Sequence, residues 1–167
     1  DQNMEEAAYC MEQATERCKM YCGEKNQIYS AMSEELARMY NAAGRREESL
    51  ACHLAVRNQL LKNGYREGSI LLMVDNNMSV VYLDLGRPEE AIPYLTEALE
   101  LAKENGLVGP AVAEPTWNLA RVYRALGDEE KEDIYLKAAV EGFRECYPPE
   151  HPKRIAAEQR LKEHQGE

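Results

Sequence analysis

Three tyrosines in this chain keep nearly equal distances from one another. Tyr40, Tyr82 and Tyr123 are separated by 42 and 41 residues, and Gly44, Gly86 and Gly127 repeat those intervals four positions later. A small residue stands three before each tyrosine (Ala37, Ser79, Ala120), preceded in turn by Leu36, Met78 and Leu119, and one further period reaches Leu161. Ala14, Val56, Ala98 and Ala139 fall in the same register. So many positions in step at one period mark a repeat architecture, in which each unit buries its apolar face on the next.

The chemistry of each recurring position describes a helix–turn–helix unit. A small residue one turn before a tyrosine lets a second helix approach while the ring fills the space beside it. The glycine ends the first helix, because a left-handed cap costs least without a Cβ. An acidic pair follows (Glu47 and Glu48, Glu89 and Glu90, Glu129 and Glu130), which suits the positive end of a second helix. Gly64 and Gly106 close the second helices, and Pro88 sits in a first turn that needs no N–H. Pro93 lies further inside and predicts a slight kink.

The pattern predicts helices over 4–22, 27–43, 46–63, 67–85, 88–105, 112–126, 128–146 and 152–163, with no strand signal and no low-complexity linker. The expected fold class is all-α, a solenoid of about eight antiparallel helices in one domain spanning 1–167. Its parts are a half repeat over 1–26, repeats over 27–66, 67–109 and 110–150, and a C-terminal capping helix over 151–167. The chain opens at Asp1 without an initiator Met, and the expectation is a fragment or a processed chain.

The small residue, Tyr, Gly, "EEA" and "LTEAL" together resemble tetratricopeptide repeats (TPR) in the long-helix variety of kinesin light chains and bacterial repeat proteins. The "NNMS" at 76–79, the "WNLA" at 117–120 and the "PPEHP" turn at 148–152 are similar to recurring elements of that variety. Its period exceeds the roughly 34 residues usual for the family. Glu132 and Ser49 depart from the pattern where Ala91 keeps the usual alanine, so looser packing is expected in the outer repeats. The resemblance implies a right-handed α-α superhelix whose concave groove, lined by the first helix of each repeat, binds a protein or peptide.

On that frame, helical spacing directs Asn77, Asn118, Arg38, Val80 and Arg121 into the groove, with Asn41, Leu83 and Arg124 one turn further on. Asparagine can pair with any peptide backbone, and arginine grips a carboxylate with two parallel bonds. The expected ligand is therefore an acidic segment or a free C-terminal carboxylate. A second reading keeps these arginines paired with Glu34, Glu35, Asp84 or Glu114 and hydrated. Trp117 is the only tryptophan, and it either packs in the core or anchors a ligand. Its repeat equivalents, Glu34 and Asn76, are polar, which predicts partial exposure.

Other classes find little in the residues. The chain has 30 Asp+Glu against 20 Lys+Arg, a net charge of −10, which repels nucleic acid and anionic membrane surfaces. Its longest apolar run, "ILLMV" at 70–74, is far short of the ~20 residues of a membrane span. No phosphate loop, nucleophile elbow or metalloprotease motif is present, so no enzyme and no cofactor is expected. Five cysteines, an odd number, fit a cytoplasmic location. Cys18 and Cys22 are one turn apart, and Cys10 and Cys52 are repeat equivalents, but without a second ligand pair they are read as small buried hydrophobes, with no metal site. His151 belongs to a turn. Two alternatives to a peptide-binding scaffold stand: the sensor part of a peptide-responsive regulator, and a spacer that self-associates through the unpaired N-terminal helix carrying Tyr9 and Met11.

Overall fold

The computed structural model describes residues 2–64 and 69–166. Among them lie eight helices and no strand: α1 (Gln2–Cys22), α2 (Gln27–Ala42), α3 (Arg46–Lys62), α4 (Ser69–Asp84), α5 (Pro88–Glu104), α6 (Pro110–Leu126), α7 (Glu129–Cys146) and α8 (Pro152–Gln165). The expected boundaries at 65–68 lie outside the described residues. No described helix is long and apolar enough to cross a membrane.

Local chemistry starts and stops these helices where the periodicity places them. Asn26 caps α2 by accepting from the Ile28 N–H at 2.8 Å, and Asp128 caps α7 by accepting from Lys131 at 3.1 Å. His151 caps α8 through Nδ1, with its ring stacked on Tyr147. Pro88, Pro110 and Pro152 occupy first turns, and α5 continues through Pro93, which lies on its exposed side. At the recurring glycine, φ is +73° for Gly127. The N–H of Gly127 bonds to Arg124 and that of Asp128 to Tyr123, satisfying the last carbonyls of α6. Glu47, Glu89 and Glu129 each stand in the first turn of their helix.

The chain divides into two compact units, Asp1–Leu85 and Gly86–Glu167. In the first, α1 packs on α2, α2 on α3, and α3 on α4, with α2 also touching α4. Ala8, Leu36 and Tyr40 form one of its cores, with Met11, Met39 and Cys52 packed against it. In the second, α6 joins α5 and α7, and α7 joins α8. Phe143, Leu136, Val140, Ala113, Ala120 and Ala157 are buried there, with Trp117, Tyr147 and Leu161 against them.

The repeat register is the core register. Ala37, Ser79 and Ala120 are fully or almost fully buried, as are Leu36, Met78 and Leu119. Ser49 and Glu132, expected to mark looser outer repeats, are buried like Ala91, which keeps the usual alanine. Glu132 is tolerated at an alanine position because Arg160 of α8 reaches it at 2.7 Å. Among the cysteines, Cys10 and Cys22 are exposed, against expectation, while Cys18 is half-buried and Cys52 and Cys146 pack against the cores. Among the described residues, no three His, Cys, Asp or Glu converge as metal ligands.

Gly127 has no neighbour within 4 Å of an added Cβ, so Gly127→Ala is penalised by backbone conformation alone. The expected cost is about 1 kcal/mol, read as a lower urea midpoint with an unchanged denaturant slope.

Candidate functional site

Within the first unit, α2, α3 and α4 enclose a cleft of ≈ 240 Å³ lined by Arg38, Asn41, Ala42, His53, Asn77, Val80 and Val81. Four of the residues directed inward by helical spacing thus share one cleft. Arg38 is well exposed and donates to Glu35 at 2.8 Å, a hydrated surface pair that contributes little to stability. Asn41 donates to Asp84 at 3.2 Å, while its Oδ1 is buried without a hydrogen-bond partner among the described residues. The Asn77 amide reaches Glu34 only at 3.5 Å.

Behind this cleft lies a polar core that repeat periodicity did not reveal. Glu34 is 3% exposed and His53 1% exposed, and His53 Nδ1 lies 3.0 and 3.1 Å from the two carboxylate oxygens. With Glu34 ionised, Nδ1–H donates and fixes the imidazole tautomer. Polar Glu34 and Asn76 led to the expectation that the position they share with Trp117 is at least partly exposed, yet Glu34 is buried. It is buried because His53, from the neighbouring helix, supplies the partner that such burial requires.

In the second unit, α6, α7 and α8 enclose a tighter cleft of ≈ 90 Å³ lined by Trp117, Ala120, Arg121, Arg124, Glu132, Leu136 and Arg160. Trp117 is half-buried, with its ring 6.4 Å from Phe143, so one side packs in the core while the residue still borders the cleft. Asn118 does not line the cleft. It is 4% exposed, and its Oδ1 accepts from Arg121 at 3.1 Å, which steers that guanidinium. Arg124 is exposed and pairs with no carboxylate among the described residues. Glu132 is the cleft's one acid; Arg160 holds it, and His164 Nδ1 stands 3.9 Å from its second oxygen. Glu114, a candidate partner for the arginines, accepts from Tyr147 and pairs with Lys153.

Arg160 was missed, although the period contains the signal. Counting 42 residues on from Asn118, as Leu161 follows Leu119, lands on Arg160. It is the third member of the series Asn77, Asn118, Arg160, displaced in sequence into the last helix.

The family model described as tetratricopeptide repeat matches residues 70–145. No curated protein matches the chain. Among solved structures, the chain is similar to nearly identical TPR-like repeats of a kinesin light chain from Podosopora anserina. Identity is 23%, coverage is 98% of this chain and 79% of that one, and the TM-score is 0.80. It is also similar to BtubC (BKLC) from P. vanneervenii, at 18% identity over 98% of this chain and 74% of that one, with a TM-score of 0.78. These likenesses show the fold to be that of a TPR solenoid.

The buried pair makes a stability prediction. His53→Leu leaves the Glu34 carboxylate without its closest partner and is expected to cost about 3–5 kcal/mol. Glu34→Leu/His53→Leu together should cost less than His53→Leu alone, as measured by a double-mutant cycle in urea.

Proposed function

We propose that this chain, a tetratricopeptide-repeat protein across residues 70–145, is a non-enzymatic cytoplasmic scaffold that binds an acidic peptide segment or a C-terminal carboxylate. A TPR fold supports protein interaction in general. The observation that carries the finer reading is the convergence of Arg121, Arg124 and Arg160 on one cleft whose only acid is Glu132. The excess of cations there runs against a net charge of −10 for the chain.

Arg124 is the entering ligand's first contact in this account, since it is exposed and no described carboxylate competes for it. Arg121 is the second, held at a fixed angle by Asn118. The cleft volume suits a carboxylate group rather than a folded element, and a guanidinium pair can take both of its oxygens. Trp117, at the border, would meet the side chain next to that carboxylate. In the first unit, Arg38, Asn41, Asn77 and Val80 form a separate contact set. The acidic surface elsewhere disfavours nucleic acid and anionic membranes.

A second reading has its own observation. Tyr9, Met20 and Tyr21 of α1 are 61%, 73% and 86% exposed, an apolar set that can support self-association. Sedimentation across a range of concentrations separates a self-associating chain from a monomeric binder.

The test of the main reading uses the single tryptophan. An acidic peptide with a free C-terminus should change Trp117 fluorescence, and its amidated or Lys-substituted counterparts should bind more weakly. Arg121→Gln and Arg124→Gln should each weaken binding about tenfold, the scale of a hydrogen bond to a charged group. Added salt should weaken it further. Unaltered affinity in both variants, or preference for the basic peptide, contradicts the reading.

A further inference from the structure

On α7, the arginine cleft uses Glu132 and Leu136, while other positions on the same helix face a larger space. Between α5 and α7, floored by α6, the second unit carries a groove of ≈ 590 Å³. Leu99 of α5, Val112 of α6, and Ile134 and Ala138 of α7 line it, and Val108 stands at its end. Its depth has a local cause. An added Cβ on Gly142 would come within 3.0 Å of the Ala113 Cβ, so α7 sits down tightly on α6. The small Ala138 and Gly142, between Ile134 and Glu145 on α7, leave the middle of the groove unfilled toward α5. Val108 is 82% exposed and Ile134 57% exposed, an arrangement that water penalises unless something covers it.

The charges around the groove select what covers it. Glu100 and Glu104 lie one turn apart on α5, and Glu141 and Glu145 one turn apart on α7; all four are exposed. None has a cation partner among the described residues. Some exposed or half-exposed acids elsewhere are paired, as Glu48 is with Arg45, Glu90 with Arg87 and Glu158 with Arg144, while others, such as Glu89, Glu129 and Glu130, likewise have no cation partner among the described residues. Lys103 is the one cation lining the groove, and Lys137 is already taken by Asp133. Glu145 lines the groove, and Glu100, Glu104 and Glu141 each adjoin a lining residue in sequence, so an apolar floor with exposed acids on both flanking helices complements a helix with an apolar stripe flanked by Lys or Arg.

We infer that the α5–α7 groove docks a basic amphipathic helix of a partner protein. A second copy of this chain is a poor occupant, since it would bring another net charge of −10 to an acidic rim. An anionic lipid surface is repelled for the same reason. The inference is independent of the arginine cleft, and the two sites select ligands of opposite charge.

The test is fluorescence anisotropy of a labelled Leu/Lys peptide of about 18 residues, five helical turns, patterned as an amphipathic helix. Controls are a scrambled peptide of the same composition and a Leu/Glu peptide of the same pattern. The patterned Leu/Lys peptide should bind at least about tenfold tighter than either control. Glu141→Lys/Glu145→Lys and Val108→Ser/Ile134→Ser, all at exposed positions, should each weaken it by a similar factor with unchanged helicity. The Trp117 response to an acidic peptide should persist in both variants, so failure here is distinguishable from failure of the arginine cleft. Equal binding of the scrambled peptide, binding of the Leu/Glu peptide, or indifference to the substitutions overturns the inference. So does a shift from dimer to monomer in sedimentation of Val108→Ser/Ile134→Ser, which would make a second copy the occupant.

Discussion

Close helix contact through a small buried residue is the constraint on which each repeat depends. Ala37 and Ser79 are wholly inaccessible and Ala120 is 2% exposed, each one turn before its tyrosine. A larger side chain at any of them would force packed helices apart, and overpacking of that kind costs roughly 1–3 kcal/mol. The tyrosine then varies with its surroundings. Tyr40 lies in an apolar core beneath Arg45, whereas Tyr123 is half-buried and stacks on Tyr135 at 5.4 Å. A conserved spacing of small residue and ring therefore sets helix approach, while the residues around it are free to build polar sites.

Those polar sites are organised by how each carboxylate is answered. Glu34 is buried against His53, and Asp75, wholly inaccessible, against Arg57 at 2.6 Å. Glu132 is buried against Arg160. Removing one member of such a pair is more damaging than replacing both, because the remaining charge stays desolvated. On the surface the logic differs: Arg45 and Arg87 each hold a glutamate three residues on, at little gain. Two regions of the second unit carry charge of opposite sign. One gathers guanidinium groups around Trp117; the other has exposed acids on the helices that flank an apolar groove.

Much of the architecture was legible in the residues. Glycines at 44, 86 and 127 do adopt positive φ, and the acidic pairs do open second helices. These features are local, so one helix and its turn contain the whole argument. Interactions between helices were harder to read. The position shared by Glu34, Asn76 and Trp117 was expected to be partly exposed, yet a histidine from α3 makes burial of Glu34 possible. Cys10 and Cys22 were expected inside, yet their helical positions face outward. Clustering of Arg38, Asn41, Asn77 and Val80 followed from spacing alone, because all four sit on first helices of repeats. Arg160 did not: its helix matches the first half of an uncompleted repeat and was expected to serve as a cap, so no groove residue was assigned to it.

The central claim is that the arginines of the second unit receive a carboxylate, and arginine side-chain NMR observes them directly. In a titration with an acidic peptide bearing a free C-terminus, the Nε–Hε signals of Arg121, Arg124 and Arg160 should move together and saturate together. The same peptide with an amidated terminus should move them less. If those three signals stay in place while binding proceeds, the carboxylate is held elsewhere and the account of the cleft is wrong.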